Sequence, residues 1–588
     1  MKILLVAVGS KYIHSNLAVY SLNAYARAAG VKSRLEVAEY TVNQRREDIL
    51  ADLYGRKPDV AAFSCYIWNI SLIKSLAADL TKLRPELEIW LGGPEASHDA
   101  GNLLREQLWL RGVMAGEGEE TFRQLAEYYE DQEGRRLGDI PGIYWRDGED
   151  IRSSGPGPCL DLSRVSFAYG ESVPAHRILY YESSRGCPFS CGYCLSSVDR
   201  QLRFRDPALV EKELSFFLER RAPQVKFTDR TFNCSHSHAM HIWKYLEAHD
   251  NGVTNFHFEV SADLLNEEEL ELLGRLRPGY VQLEAGIQSV NPDTLQAVGR
   301  RMDLERLAKN IRRLNAGKNI HLHLDLIAGL PLESYDSFRR SFDWAYELRP
   351  GQLQLGFLKV LKGSPLREKA QEYGLVFCGE PPYEILQTAD ISYEELCRLK
   401  RVEQVLEIYY NSSQFGHTME RLVSFYPSPF ALYEELADYF LDKGLFDRQL
   451  GRAERFDALW DFIVRKGEKE SKETHSGFLG VAWQEILVYD YYLRENAKTR
   501  PRFAPDQKKY WPSITGWYAR HAAARPELAA YRGYGYRQLL HMTHAEVISR
   551  DFSQIGQKIL IVFDYGEKNP LTGNAAAWEG EEWMKENG

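Results

Sequence analysis

Twice along this chain, short apolar runs alternate with helix-length amphipathic stretches, and that alternation restricts the fold more than any single motif. In the first series Ile3–Val8, Arg34–Glu39, Asp59–Cys65, Glu88–Leu91 and Gly112–Ala115 are predicted to be buried strands. Between them Ser15–Ala29, Gln44–Tyr54, Asn69–Leu83 and Glu119–Tyr129 carry apolar residues at helical spacing. Strand–helix units in this order imply an open, doubly wound parallel sheet of flavodoxin or Rossmann type, with ligands in the crevice beyond the carboxyl ends of the strands. The segments there, Gly9–Asn16, Ser64–Asn69, Gly92–Ser97 and Gly116–Glu119, are rich in small and short polar residues, as backbone approach to a bulky polar ligand requires.

The second series, Ile178–Ser183, Val225–Phe232, Phe256–Ala262, Val281–Ser289, His321–Leu326 and Gln352–Val360, reads as six strands of a partial or full parallel barrel. Its active site would lie at the strands' C-terminal ends. Asp131–Pro158, rich in Gly, Pro and charge, reads as a small hairpin and linker. Helical periodicity takes over near residue 400, and from residue 401 onward 31 of 188 residues are aromatic, above the 12% of the whole chain. One strand-like run, Lys558–Asp564, leads into the turn-rich Asn569–Asn574. The expected division is a sheet domain at 1–135, a linker at 136–175, a barrel at 176–400 and a mainly helical domain at 401–588.

Composition removes whole classes of function. No apolar stretch approaches the roughly 18 residues that span a bilayer. A net charge of −10 argues against general polyanion binding. Eight cysteines are too few to staple 588 residues. The start MKILLVAVGSKY reads as a first strand, not a signal peptide.

Three of the cysteines fall in one run, Arg185-Gly-Cys187-Pro-Phe-Ser-Cys191-Gly-Tyr193-Cys194, directly after the first strand of the second series. Thiolates at this spacing can grip three irons of a 4Fe–4S cluster and leave the fourth iron open for chemistry. A zinc site short of one ligand and unligated reduced thiols are the alternatives, and the position at the end of a barrel strand argues against both. Cys65, Cys159, Cys234, Cys378 and Cys397 are scattered and read as reduced bystanders, although Cys65 and Cys234 sit near strand ends.

This run, with an aromatic before its third cysteine, resembles the radical S-adenosylmethionine (SAM) superfamily. Lys226–Asn233, Phe256–Asp263, Ala285–Ser289, Asp325–Pro331 and Lys359–Ser364 resemble, in order, that family's later barrel-strand motifs. The resemblance implies that Cys187, Cys191 and Cys194 hold the cluster. It also implies SAM contacts at Tyr193, Asp229, Glu259, Ser261, Gln288, Ser289, Asp325 and Leu361, with Glu259 and Ser261 facing inward by period-2 alternation. A doubly wound domain ahead of such a barrel resembles the cobalamin-binding subclass, with Gly92-Gly-Pro-Glu95, Gly116-Glu-Gly-Glu119 and Ser64–Asn69 at the matching strand ends. Cobalamin contacts are thereby implied at Ser10, Tyr12, His14, Ser15, Asn16, Ser64, Tyr66, Trp68, Gly92, Gly93, Glu95, Gly116, Glu117 and Gly118. Of the subclass's Asp-x-His-x-x-Gly signature only His14 remains, so the lower face of the corrin meets His14, water, or an aromatic such as Tyr12, Tyr66 or Trp68.

Together these resemblances imply a cobalamin-dependent radical SAM C-methyltransferase, reduced by a flavodoxin or ferredoxin. The expected location is an anaerobic cytoplasm, and the substrate a small molecule, a lipid or RNA. A non-methylating rearrangement, cyclisation or dehydrogenation on the same cofactors is the first rival, and a non-enzymatic iron–sulfur sensor the second. Leu487–Phe503 and Lys558–Asn574 resemble an uncharacterised domain found after the barrel in one branch of the subclass. Its aromatics suit either a lid over an apolar substrate or an ordinary core. The stretch Lys498–Arg532, with eight Lys/Arg interleaved with aromatics, suits either a phosphate or single-stranded RNA site or a solvated face.

Overall fold

Strand β1 (Lys2–Gly9) is buried from Ile3 to Val8 without alternation, as the centre of a parallel sheet covered on both faces demands. In the computed structural model, which describes residues 1–131, 134–170, 176–470, 477–522 and 525–587, β1 pairs in parallel with β2 (Arg34–Thr41) and β3 (Val60–Ser64), Leu4 lying between Glu36 and Ala61. The sheet continues through β4 (Glu88–Gly92), β5 (Leu110–Met114), β6 (Ile143–Asp147) and β7 (Asp150–Ser153) in the order β2-β1-β3-β4-β5-β6-β7. Helices Leu17–Ala28 and Glu119–Glu130 bury Val19, Ala26, Phe122 and Leu125 against Ile3 and Leu5 on one face. Helices Arg46–Arg56, Ile70–Leu83 and Ala100–Glu106 cover Leu4, Val6 and Val8 on the other. Gly112 is required on β5: a Cβ there would stand 2.3 Å from the buried ring of Trp90.

The segment expected to be a linker differs in part. Its hairpin, β6 and β7, extends the first sheet, with β6 antiparallel on β5 and Ile143 and Trp145 buried against Leu137 and Ile140. Pairing there removes the open edge that β5 would otherwise present. Residues 171–175 of the expected linker lie outside the described residues.

Two compact units make up the chain: Met1–Ile320 with Ile327–Ser334 and Gly356–Ser392, and His321–Leu326 with Tyr335–Leu355 and Tyr393–Gly588. The first unit adds to its sheet β8 (Leu179–Tyr181), a short antiparallel ribbon of β9 (Ser184–Arg185) and β10 (Arg203–Phe204), then β11 (Gln224–Phe227), β12 (Asn255–Glu259) and β13 (Val281–Gln288). Strands β8, β11, β12 and β13 are parallel neighbours in that order, linked by helices such as Pro207–Glu219, His236–Ala248 and Glu267–Arg275. On β13 burial alternates strictly, turning Gln282, Glu284, Gly286 and Gln288 to one face. Strands β14 (His321–Ala328) and β15 (Gln352–Phe357) are neighbours that fall largely in the second unit, while the hairpin of β16 (Val376–Phe377) and β17 (Ile385–Gln387) belongs to the first. The α/β class read from the alternation is borne out.

In the second unit, helices Tyr335–Glu347, Tyr393–Leu406, Pro429–Asp442, Arg452–Glu470 and Trp483–Arg494 pack around aromatics. Tyr409, Tyr433, Tyr492, Trp517 and Tyr518 are fully buried, so the aromatic density of this part builds its core. Three antiparallel strands, β18 (Thr543–Ser549), β19 (Lys558–Lys568) and β20 (Ala575–Glu579), accompany the helices where one strand-like run was expected. Among the described residues no helix is long and apolar enough to cross a membrane.

Candidate cofactor site

The cysteine run leaves β9 as a loop braced by backbone hydrogen bonds: the N–H of Cys187 donates to Asp199 O (3.0 Å) and that of Gly192 to Val298 O (2.8 Å), and Gly192 O accepts from Leu366 N (2.8 Å). Cys187 and Cys191 are buried and Cys194 half-buried, all three as free thiols. Gly186 makes the turn into the loop with φ +94°, and a Cβ on it would meet Gln201 O at 2.3 Å. Thr231 Oγ1 lies 3.8 Å from Cys187 Sγ, and one nitrogen of Arg300 lies 3.6 Å from Cys191 Sγ and 3.3 Å from the Tyr193 hydroxyl. Arg300 also donates to Gly286 O. No sequence pattern pointed to Arg300, which lies 109 positions from Cys191. The carbonyl oxygen of the Gln288 side chain, at φ +72° where β13 ends, is buried and accepts no hydrogen bond. Three free thiols on one braced loop, with an orphaned acceptor at the end of β13, fit an iron–sulfur cluster with an adjacent polar ligand.

Other residues expected to contact SAM divide by position. Glu259 lies in a charged row on the face of β11 to β13. Lys226 Nζ is 3.0 Å from Glu284 and 3.6 Å from Glu259, and His257 Nε2 is 2.8 Å from Glu284. Burial pulls the Lys226 ammonium down, but the two carboxylates outweigh it and hold the pKa above its ordinary value. The Ser261 hydroxyl donates to Asp263 (2.6 Å), and that of Ser289 donates to the buried Glu333. The peptide N–H of Leu361 donates to Lys359 O (3.0 Å). Asp325, in the second unit, has its carboxylate 2.9 Å from His323 Nε2. Asp229 is fully buried behind the cysteine loop, where it accepts from Ser183 N–H (2.9 Å) and from the hydroxyls of Ser183 (2.7 Å) and Ser184 (2.5 Å).

Burial pushes the Asp229 carboxyl up to about 7 against the opposing pull of these donors. A native pKa above the unfolded value of roughly 4 means that the folded protein holds this proton more tightly. The stabilisation is therefore complete below about pH 4 and is lost as pH rises through about 7. Asp229→Asn is expected to flatten the fall in Tm between about pH 5 and pH 8. Equal slopes in the two proteins would count against it.

At the carboxyl ends of the first sheet a cavity of about 120 Å³ runs down between the sheet and helix Leu17–Ala28. Ser64, Tyr66, Gly92, Gly93, Gly116 and Gly118, all expected cobalamin contacts, line its mouth, and Leu5, Val19, Leu22, Ala62 and Met114 its depth. It lies beside β1 and β3, where strand order reverses, the position at which such sheets bind ligands. Gly93 has φ +96°, and a Cβ on it would stand 2.6 Å from Cys65 O; Gly116, at φ +86°, has open space where a Cβ would be. A narrow apolar shaft under a rim of glycine backbone suits a bulky polar ligand with a planar tail.

The remaining expected contacts surround this mouth or join it to the barrel strands. Trp68, exposed, stacks on Tyr66 at 4.3 Å between centroids and donates to Val8 O. Asn16 caps its helix and reaches Ser64 Oγ (3.3 Å), and Ser10 O accepts from Asn43 at 3.5 Å. Tyr12 lies under the Arg177 guanidinium at 4.6 Å. The Ser15 hydroxyl donates to Ile178 O (2.8 Å), and His14 Nδ1 pairs with the Tyr180 hydroxyl (2.7 Å), placing the first loop on β8. Burial, then Lys11 and Lys226, depress the His14 pKa, favouring the neutral imidazole that metal ligation requires. Glu95 accepts from the Tyr383 hydroxyl and lies 3.6 Å from Lys362. Glu117 pairs with Arg185 (2.9 Å) and Arg203 (2.5 Å), so this expected cofactor contact spends its charge on the barrel.

Comparison with known proteins gives these parts a setting. Residues 3–126 match the B12 binding domain, 181–345 the Radical SAM superfamily and 371–563 a protein of unknown function (DUF4080). The chain is 26% identical over 363 residues to the cobalamin-dependent radical SAM methyltransferase TokK of Streptomyces tokunonensis, covering 54% of this chain and 50% of that protein. It is 22% identical over 346 residues to the anaerobic magnesium-protoporphyrin IX monomethyl ester cyclase of Rubrivivax gelatinosus, covering 56% and 61%. The chain thus spans about half to three-fifths of the length of these relatives. Its fold is that of the cobalamin-dependent S-adenosylmethionine radical enzyme OxsB solved with aqua-cobalamin bound, at TM-score 0.59 and 16% identity over 87% of this chain and 84% of that one.

Proposed function

Since the chain belongs to the radical SAM proteins that carry an N-terminal B12-binding domain, we propose that it methylates an unactivated carbon of a substrate held between sheet and barrel. When bound, the 4Fe–4S cluster, SAM and cobalamin supply a carbon-centred radical and a transferable methyl group. One observation carries the reading: the cysteine loop and the glycine-rimmed cavity belong to one compact unit, joined through Arg185 and through the His14–Tyr180 pair.

The chain's own residues would divide the work. Cys187, Cys191 and Cys194 hold the cluster, and the Gln288 side chain, lacking an internal partner for its oxygen, meets SAM. Tyr193 packs beside the cluster under Arg300. The rim glycines let the corrin approach the backbone, and the shaft takes its tail. Lys226, Glu259 and Glu284 orient the polar part of the substrate. A flavodoxin or ferredoxin supplies the electron. Other SAM and cobalamin contacts are those of the sequence reading.

The test is anaerobic incubation of reconstituted protein with dithionite, deuteromethyl-labelled SAM and an extract of a strain deleted for this gene. Expected are 5′-deoxyadenosine, S-adenosylhomocysteine and one new labelled product heavier by a methyl group. 5′-Deoxyadenosine without the other two would replace methylation with the second reading, a radical cyclisation or rearrangement, which the similarity to the cyclase favours. Failure to cleave SAM at all would leave only an iron–sulfur sensor. A nucleic-acid substrate gains no support from the basic stretch. Arg500 is paired with Glu546, Arg502 with Asp457 (2.9 Å) and Asp461 (2.7 Å), and Arg525 with Glu582 (3.1 Å).

A further inference from the structure

We propose that Arg185 couples the cobalamin cavity to the cysteine loop, so that cobalamin binds more tightly when the cluster is in place and the cluster is held more tightly when cobalamin is bound. The proposal rests on the cofactor assignment above and goes beyond it, because nothing in that assignment requires the two sites to sense each other. Arg185 stands two residues before Cys187 and is only 17% exposed. Its guanidinium meets Glu182 (2.7 Å) on its own side, and Glu117 (2.9 Å) and Glu119 (2.8 Å) from the loop after β5. That same loop forms the cavity wall through Gly116, Gly118 and Glu119.

A second route runs between the same two places. Glu117 pairs with Arg203 (2.5 Å), Arg203 with Asp199 (2.9 Å), and the carbonyl of Asp199 accepts the Cys187 N–H (3.0 Å). Gly186 leaves no slack between the routes, since even a Cβ would collide with Gln201 O. Four carboxylates, Glu117, Glu119, Glu182 and Asp199, thus share two guanidiniums in a part-buried place. Without Arg185 the surplus negative charge falls on the loop contact itself, and Coulomb repulsion across a poorly solvated gap drives the loops apart. A ligand that fixes the 116–119 loop therefore fixes the approach to Cys187, and linkage makes the effect reciprocal.

The test measures hydroxocobalamin affinity by equilibrium ultrafiltration for cluster-free and for anaerobically reconstituted full-length protein. It also follows iron release to a chelator with and without hydroxocobalamin. Wild type is expected to bind about tenfold more tightly when reconstituted and to release iron more slowly with cobalamin bound. In Arg185→Met both ratios should fall to near one. Arg185→Lys, which keeps the charge but loses the fork, should give intermediate ratios and serves if the methionine variant does not fold. Each ratio is taken within one variant, so a general loss of affinity cannot imitate the result. A wild-type ratio of one, or an unchanged ratio in every folded variant, overturns the coupling alone. No hydroxocobalamin binding in either form overturns the cofactor assignment with it.

Discussion

Replacing any one of Cys187, Cys191 or Cys194 with alanine is expected to reduce bound iron to background and to abolish reductive SAM cleavage. Two thiolates leave a cubane with two uncommitted irons. The half-buried Cys234, whose thiol is pushed up by burial and then by Cys187, is a further thiol near that position, so iron is also measured in Cys187→Ala combined with Cys234→Ala. Thr231 Oγ1, 3.8 Å from Cys187 Sγ, is a hydroxyl, and the neighbour of Cys191 is a guanidinium, which ligates no metal. Alanine at Cys65 or Cys378 should leave iron content and cleavage unchanged, because Cys65 is sealed in the first sheet's core and, among the described residues, neither is paired with the cysteine loop. The measurements are iron and sulfide per chain, the electron paramagnetic resonance spectrum of the reduced protein, and 5′-deoxyadenosine. A cysteine-loop variant that kept a full cluster signal would remove that cysteine from the ligand set.

These cysteines stood out in the sequence because the ligand set proposed here lies on one short loop and is written consecutively. The strand ends that rim the cavity were legible for a related reason. Glycines come at or just past the ends of buried runs, Gly92 after Trp90-Leu91 and Gly116 two positions after Met114, and the chain can turn toward a ligand there at little steric cost. What the sequence did not show is pairing between distant positions. Arg300 reaches Cys191 only because the end of the short helix Pro292–Ala297 after β13 lies against the loop, where Val298 O accepts the Gly192 N–H, and no periodicity encodes that approach. Glu95 and Glu117 were marked as cofactor contacts for their place in a motif, and the fold gives their carboxylates to Tyr383 and Arg185. The hairpin after residue 142 was read correctly as a hairpin, yet only the bare edge of β5 made it part of the first sheet. In the C-terminal part the aromatics stood out by number alone, and their burial in a core of Tyr409, Phe415 and Phe456 is a property of tertiary packing.

The largest effect on stability is expected at Arg205 and Glu213, which no motif marks. Their side chains are 7% and 6% exposed. Arg205 Nε donates to Glu213 at 2.7 Å, and the other guanidinium nitrogens reach Leu162 O and Val165 O (2.8 Å), while Glu213 also accepts from the Tyr181 hydroxyl at 2.8 Å. One ion pair thereby ties the stretch before the barrel to β8 and to helix Pro207–Glu219. Arg205→Met leaves a buried carboxylate with one hydroxyl donor and takes the guanidinium from Val165 O, while Leu162 O keeps the Val165 N–H (3.1 Å), a loss of about 3–5 kcal/mol. For a cooperative unit of this size that is a fall in Tm of roughly 5 °C. Glu213→Gln should cost less, since the amide oxygen still accepts and the guanidinium keeps the two carbonyls. Arg205→Met combined with Glu213→Leu should recover part of the loss, because the pair's desolvation cost disappears along with its attraction. Thermal unfolding of the three proteins decides between a fastening and an ornament. A Tm for Arg205→Met within about 2 °C of wild type would show that water reaches Glu213 in solution and that the joint is held by its apolar neighbours instead.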